Sequence, residues 1–352
     1  MKKLLHLIES LATGGAEKLL ASVINGLEGY EHHLVILNGP ADLRQTIKRE
    51  HHFLNLGVNR KTDLPAATRR LRSYVRRHEI RTVHSHLYWA NILARLATPR
   101  NVAQFNSIHA VSSLAAYRVN RLTKVLEKLT YRRRHHIVAV SHEVLRDFEE
   151  QIGLKGPATV LYNFVEEKFF APVPKQNFSS EGLRMLAVGN LREQKNYFYL
   201  LEAFRHLPPS FSLDIYGEGP LRPAMQEFID RHKLRVRMCG LSDRLHLLMP
   251  GYDLFVMSSS YEGQPLALLE AMASGLPALL SDIPVLREVA GDDALYFDLR
   301  DPLSFQARVM ELREGKHDFS QLASGLHTRV HDFAHQHQYF ERLNRLYDGA
   351  HV

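Results

Sequence analysis

The sequence predicts an α/β protein built from two tandem, doubly wound domains. Three observations carry this. Short apolar runs alternate with helical stretches from residue 4 to about residue 162. A polar stretch with two prolines, two serines and a glycine then breaks the pattern at 166–183, and the alternation restarts beyond it. Strand–helix alternation of this kind gives a mostly parallel sheet with helices on both faces. The length of 352 residues suits two domains, and a hydrophobic content of 45% supplies a core for each.

In chain order, Leu4–Ile8 reads as the first strand. Gly14 to Lys18, GGAEK, then opens a helix running to about Glu28. His33–Leu37, Phe53–Leu56, Val83–His86, Gln104–His109, Ile137–Val140 and Thr159–Tyr162 are further strands. Helices are expected at Ala41–Glu50, Pro65–His78, Trp89–Ala97, Ser113–Arg132 and Glu143–Gln151. After the break, Met185–Val188, Leu213–Tyr216, Val236–Cys239, Leu254–Met257, Ala278–Leu280 and Leu295–Phe297 are strands with helices between them, and the tail from Pro302 is helical. The expected layout is an N-terminal domain at 1–165, a linker at 166–183, a C-terminal domain at 184–334, and a last amphipathic helix at 335–352. That helix is expected to pack back toward the N-terminal domain.

Composition narrows the class. No run of about 18 apolar residues occurs, so no spanning helix is expected. His6 and Glu9 interrupt the first apolar segment, which reads as a strand rather than a secretion signal. The lone cysteine, Cys239, excludes an intrachain disulfide and fits a reducing cytoplasm. Charge is uneven: residues 1–165 hold 25 Lys and Arg against 13 Asp and Glu, and the remainder 20 against 25. Two basic patches stand out, Arg69 to Arg81 and Arg118 to Arg134. Each reads equally well as a solvated helix face or as a surface for an anionic partner such as membrane lipid.

The stretch FVMSSSYEGQPLALLEAMASGLPALLS, Phe255 to Ser281, holds the strongest chemical signal. It reads as strand, loop, helix, turn and strand, with Pro265 in the first helical turn and Gly275 and Pro277 stopping the helix. Glu262 precedes the helix and Glu270 lies within it among leucines and alanines. A carboxylate on so apolar a helix needs a partner. Ligand hydroxyls are one, and the helix start seats a phosphate. From the pattern alone, a helix cap and an internal salt bridge explain the two glutamates as well.

Glu262 and Glu270 form a Glu-x7-Glu pair that resembles the signature of retaining GT-B glycosyltransferases of family 4, the bacterial cell-surface polysaccharide type. The likeness spans the chain in order: GGAEK near the start, a lysine loop at Lys195, Gly-x-Gly-Pro at Gly217, and EGQPLALLEAMASGLP at Glu262. It implies two Rossmann-like domains facing each other across a cleft. It also implies roles for individual residues. Lys195 and Arg192 would contact the donor diphosphate; Asn190 stands where the family has an arginine, and Arg192 otherwise reads as a solvated loop charge. Gly14, Gly15, Gly217 and Gly219 would line the diphosphate and nucleotide. Leu241 lies where related enzymes hold the base through backbone groups.

By the same likeness, Glu270 would bind ribose hydroxyls. Gly263, Gln264, Pro265 and Leu266 would present backbone groups to sugar and phosphate, with Gln264 replacing a common aromatic. Glu262 and His109 would position the donor sugar, with Lys195 as the third catalytic residue. His86, rather than His84, is the expected acceptor-side residue.

Absences sharpen the reading. No Asp-x-Asp, no zinc-spaced Cys–His cluster, no phosphate-loop Lys-Ser/Thr and no dinucleotide-binding glycine triplet occurs. The paired histidines His32-His33, His51-His52 and His135-His136 suggest no ligand set. The expected protein is a metal-independent, cofactor-free retaining hexosyltransferase, cytoplasmic or peripheral on the inner membrane face. It would take a UDP- or GDP-linked sugar to a glycan or lipid-linked acceptor, and nucleic acid is not expected as a partner. A nucleotide-sugar hydrolase or epimerase on the same scaffold, and a non-catalytic anion-binding module, are the competing readings.

Overall fold

The computed structural model describes residues 1–111, 113–114, 121–170 and 182–349. They form two compact units. The first comprises Met1–Asn163 together with the final helix from His337, and the second comprises Phe164–Gln336.

The first unit runs β1 (Lys2–Ile8), α1 (Gly15–Gly26), β2 (Tyr30–Ile36), β3 (His51–Asn55), α2 (Leu64–Arg77), β4 (Thr82–His86), α3 (Tyr88–Ala97), β5 (Ala103–Ile108), α4 (Arg121–Thr130), β6 (His135–Ala139), α5 (His142–Gln151) and β7 (Ala158–Val160). Its seven strands pair in the order β3-β2-β1-β4-β5-β6-β7, and all the pairings are parallel. Parallel strands are covered on both faces and so carry unbroken apolar runs. Leu4, Leu5, Leu7 and Ile8 of β1 are all fully buried.

Helix boundaries follow local chemistry. Pro65 sits in the first turn of α2, where its missing N–H costs nothing. Ser141 caps α5, its hydroxyl accepting from Val144 N–H at 3.2 Å. The helix expected at Ala41–Glu50 is only a short 3₁₀ turn, Asp42–Thr46, because two β-branched residues and a polar run give little to propagate a helix. Of the helix expected at Ser113–Arg132, Arg121–Thr130 is helical as α4, while Ser113 and Leu114 form a turn and Tyr131 and Arg132 follow the helix; residue 112 and residues 115–120, Arg118 of the second basic patch among them, lie outside the described residues.

The second unit runs β8 (Arg184–Val188), α6 (Tyr197–Phe204), β9 (Ser212–Tyr216), α7 (Arg222–His232), β10 (Val236–Gly240), α8 (Leu245–Leu248), β11 (Leu254–Met257), α9 (Leu266–Ala273), β12 (Ala278–Ser281), α10 (Pro284–Ala290), β13 (Leu295–Phe297), α11 (Ser304–Arg313) and α12 (Phe319–Phe333). Its six strands lie in the order β10-β9-β8-β11-β12-β13. Helix α9 is buried through Leu268, Leu269, Ala271, Met272 and Ala273. It begins at Leu266, with Pro265 as its cap rather than inside its first turn, since Pro265 is extended at φ −77° and ψ 110°.

The stretch read as linker divides. Phe164–Phe170 packs with the second unit: Val165 bridges to His335, and Phe169 is buried in that core. Three aromatic side chains there outweigh the polar composition that suggests a connection. Residues 171–181 lie outside the described residues. The last helix, α13 (Gln336–Gly349), belongs almost wholly to the first unit. Its Tyr347 is 1% exposed. The Tyr347 hydroxyl meets His84 Nδ1 at 2.6 Å, and its ring meets Tyr30 and Phe105 edge-on.

Candidate functional site

In each sheet the strand order reverses beside the first strand, between β1 and β4 and between β8 and β11. Ligands of open α/β sheets sit at such reversals, beyond the C-terminal strand ends. The residues that the sequence singles out gather at these two places.

In the second unit, the loop after β8 carries Gly189 to Asn196, and the loop after β11 carries Ser258 to Pro265. Glu262 joins them. Its Oε1 accepts from Lys195 Nζ at 2.5 Å and from Ser259 Oγ at 2.6 Å, and its Oε2 accepts from Gln194 Nε2 at 3.3 Å. Both charged side chains are largely buried, at 16% and 7% exposure. The loops are laced further: Ser260 N–H donates to Gln194 O, Ser258 Oγ to Lys195 O, and Ser281 Oγ to Ser259 O. Tyr197 is buried beneath, its hydroxyl 3.2 Å from Gly189 O. Burial, aided by the Glu262 charge, pushes its phenol well above the usual range, so it stays a neutral donor.

Lys195 has three ammonium protons, so the Glu262 bond leaves two for an anion. Arg192 is exposed and makes no side-chain bond among the described residues. Asn190 gives its carbonyl to Arg192 N–H at 2.9 Å. The loop after β9 closes against the same place. Gly217 N–H donates to Gly240 O at 2.8 Å, and Gly189 N–H to Tyr216 O at 2.9 Å. Gly217 has φ +153°, and a Cβ there would lie 1.9 Å from Gly189 O, so only glycine lets the two loops meet. A Cβ at Gly219 would meet Leu191 O at 2.5 Å. The glycine turn is therefore more than a tight connection: it is packed directly onto the lysine loop. Leu241, just beyond β10, is 61% exposed. Gly263, Gln264 and Pro265 are buried, and Leu266 and Glu270 are half-buried.

In the first unit, Gly14 and Gly15 open α1 just past β1, and a Cβ on Gly14 would strike the Glu17 carboxylate. Glu9, at the end of β1, accepts from Trp89 N–H at 2.8 Å in the first turn of α3. Burial raises its carboxyl, while that bond pulls the other way. His86 ends β4 and His109 follows β5; His86 Nδ1 and His109 Nε2 are 3.2 Å apart. Leu87 between β4 and α3 is held at φ 73°, a strained turn for a branched side chain. Burial lowers His109 to about 4 and His86 well below its ordinary value. Both rings are therefore neutral near pH 7, and one donates to the other. His84 stacks on His86 with ring centroids 4.4 Å apart, and its own nitrogens are taken by the Tyr347 hydroxyl and by Ser107 Oγ at 2.7 Å.

The structure thus gathers Lys195, Glu262 and the glycine turns in one unit, and His86 with His109 in the other. Three contributors escape a sequence reading: Ser259, three residues before the Glu262 it bonds, Tyr197, eight residues beyond the Gly189 it bonds, and Gln194, which reaches Glu262 from the other loop. The paired histidines also need correction. His33 and His52, in register on β2 and β3, converge on Glu31 at 3.1 and 3.3 Å. The strand pairing that unites them has no signature in the linear order.

Comparison with known proteins decides the family. Residues 13–169 match the family described as Glycosyltransferase Family 4, and residues 171–323 match that described as Glycosyl transferases group 1. The chain is a family 4 glycosyltransferase. A Campylobacter jejuni enzyme is 24% identical over 83% of this chain and 84% of its own; its name is N-acetylgalactosamine-N,N'-diacetylbacillosaminyl-diphospho-undecaprenol 4-alpha-N-acetylgalactosaminyltransferase. The putative glycosyltransferase EpsF of Bacillus subtilis is 35% identical, over only 35% of each chain. Among solved structures, Anabaena Alr3699/HepE in complex with UDP superposes with a TM-score of 0.83, at 16% identity, over 99% of this glycosyltransferase and 100% of that chain. The fold of the family 4 chain is accordingly GT-B.

Proposed function

We propose that this glycosyltransferase moves a hexose from a nucleotide-diphosphate sugar, with retention, to a lipid-linked or glycan acceptor in cell-surface polysaccharide synthesis. The observation that carries this reading is the Lys195–Glu262 pair at 2.5 Å, set at the sheet reversal of the second unit. HepE, of like fold, holds UDP. The Campylobacter relative is named for a diphospho-undecaprenol substrate.

Breaking the anomeric C–O bond places growing negative charge on the leaving diphosphate. Lys195, Arg192 and the N-terminus of α9 would stabilise that charge electrostatically, the part a metal plays elsewhere. Glu262 fixes the ammonium before the donor arrives, so little reorganisation accompanies bond breaking. Glu270 would take the ribose hydroxyls. A neutral His109, backed by His86, would hydrogen-bond the sugar without adding positive charge beside the oxocarbenium-like centre. The acceptor hydroxyl would attack the face the diphosphate leaves and pass its proton to that phosphate. A lipid-linked acceptor would place the reaction at the cytoplasmic face of a membrane.

The test is incubation with UDP- and GDP-hexoses and a polyprenyl-diphosphate-linked monosaccharide, in EDTA, with NMR of the new linkage. Transfer with the donor's anomeric configuration is expected. Inverted product would overturn retention, loss of activity in EDTA would overturn metal independence, and release of free sugar without acceptor would favour a hydrolase.

A further inference from the structure

The face of the first sheet that α2 covers is apolar over most of its area. Leu5, Leu7, Val35 and Leu37 are buried there with Leu71 and Val75 of α2, and Leu54 packs against them. At one corner the pattern changes. Glu31 and His33 alternate on β2 and so share the face of Val35, and His52 stands beside His33 on the edge strand β3. Three groups that bind cations thus take the place of apolar residues at one end of a core face. Their ligand atoms meet. Glu31 Oε1 lies 3.1 Å from His33 Nε2 and 3.3 Å from His52 Nε2, and one ligand atom from each of the three residues falls within 4.8 Å of the others.

That spacing is what a metal ion requires of its ligands. Zinc holds imidazole nitrogens and carboxylate oxygens at about 2.0–2.2 Å, and tetrahedral directions then set neighbouring ligand atoms about 3.3 Å apart. One ligand is already oriented. His33 is fully buried, and its other nitrogen, Nδ1, is 2.9 Å from the Tyr74 hydroxyl of α2. A ring held from behind in this way keeps Nε2 turned toward the ion. The opposite side is open. The side chains of His52 and Glu31 are 54% and 33% exposed, so an ion can enter from solvent, and the His52 ring, stacked on His33 at 4.5 Å, can tilt to meet it. Two imidazoles and one carboxylate suit zinc and its transition-metal neighbours, whereas calcium and magnesium take oxygen ligands. The His6, His84 and His86 set at the centre of the sheet differs: it is wholly buried, and both His84 nitrogens are engaged.

We propose that Glu31, His33 and His52 form a site for a divalent transition-metal ion of the zinc class, which clamps the edge strand β3 to β2. His33 binds through Nε2 as the tautomer protonated at Nδ1, which donates to the Tyr74 oxygen. Water fills the remaining position. The site stands apart from the transfer reading. Glu31 and His52 are second in their strands, whereas His86 ends β4 and His109 follows β5 in the same parallel sheet. Removing the ion therefore loosens the sheet edge without entering the transfer step.

The experiment is calorimetric titration and thermal melting of the full chain with zinc chloride, after stripping with EDTA and removal of the chelator. Four proteins are compared: the parent, Glu31→Gln, His52→Ala, and a His331→Ala/His335→Ala control that removes another pair of neighbouring histidines, 2.8 Å apart in the second unit. Glu31→Gln keeps the shape and a hydrogen-bond acceptor while losing the charge that an ion needs. His52 is exposed, so its loss leaves the core intact. Circular dichroism of the metal-free proteins is the folding control. Zinc should raise the melting temperature of the parent. Glu31→Gln and His52→Ala should each weaken one equivalent of the binding at least tenfold and lose most of the melting shift, and the control should retain both. Absence of zinc binding in the parent, or undiminished binding in either single variant, overturns the proposal and leaves the cluster a hydrogen-bonded one. Loss of binding in the control alone assigns the ion to the second unit and overturns it equally. Stabilisation of the stripped parent by UDP or GDP, measured alongside, reports the transferase reading separately.

Discussion

Glu262 is where the chemistry is set by a single residue's surroundings. Its carboxylate takes Lys195, Ser259 and Gln194 at once, so Lys195 is held in place by a fully bonded anion. Removing Lys195 leaves that anion largely buried and unpaired, which costs about 3–5 kcal/mol in buried pairs and less where solvent reaches. Lys195→Met is expected to lower the melting temperature and to reduce kcat at least ~100-fold, as loss of one charge-stabilising donor does elsewhere. Glu262→Gln, measured by the same assays, should keep the fold better than Lys195→Met while losing the ion pair. Gly217→Ala is a sharper structural test. With φ at +153° and Gly189 O 1.9 Å from the new Cβ, it should abolish nucleotide-induced stabilisation even where the protein remains folded by circular dichroism.

The histidines of the first unit act in the opposite sense. His6, His84, His86 and His109 cluster with His32 at the centre of the sheet, and among the described residues His6 has no hydrogen-bond partner for either ring nitrogen. Their pKa values are lowered in the fold, mainly by burial, to about 4 for His109 and about 3 for His84. The unfolded chain therefore binds more protons, so stability rises with pH and is lost as pH falls from about 6.5 toward 4. His109 alone accounts for roughly 3 kcal/mol of this loss. Chemical denaturation should show a steep loss over that window, absent above pH 7.

At the scale of elements, α13 is the one whose removal tells most. Tyr347 fills a site among Tyr30, His84 and Phe105, and its hydroxyl satisfies His84. Tyr347→Ala should cost about 3–5 kcal/mol, as large-to-small changes of buried aromatics do. Differential scanning calorimetry should place that loss in the first unit's transition. Tyr347→Phe should cost less, through the unpaired His84 nitrogen. The final helix is visible in the sequence as an amphipathic run, and so are most strands and helices, because parallel strands buried on both faces leave unbroken apolar runs. What the linear order conceals has physical causes. The Phe164–Phe170 segment is masked by charged neighbours. The inward polar face of α4 depends on Arg95, some thirty residues away. The Ser259 and Tyr197 supports are local contacts with no residue pattern of their own, and the Gln194 support exists only because two strand ends lie side by side.

For the molecule as a whole, the Glu-x7-Glu stretch, the lysine loop and the Gly-x-Gly-Pro turn read as one motif set, and within the second unit they are one place. Lys195 and Glu262 touch, and Gly217 touches Gly189. Asn190, which departs from the family pattern, leaves Arg192 as the exposed cation of that loop. Arg192→Ala should weaken UDP or GDP binding about tenfold in calorimetric titration if Arg192 meets the diphosphate, without altering the melting temperature of the unliganded protein.

The most direct single measurement is a melting-temperature panel with UDP, GDP, ADP, CMP and dTDP on the wild type, Lys195→Met and Glu270→Ala. A nucleotide at about 100 times its dissociation constant stabilises the folded state by roughly 2.7 kcal/mol. The account predicts such a shift for a uridine or guanosine diphosphate in the wild type, reduced in Lys195→Met and lost in Glu270→Ala. No shift with any nucleotide, or an undiminished shift in both variants, would contradict it.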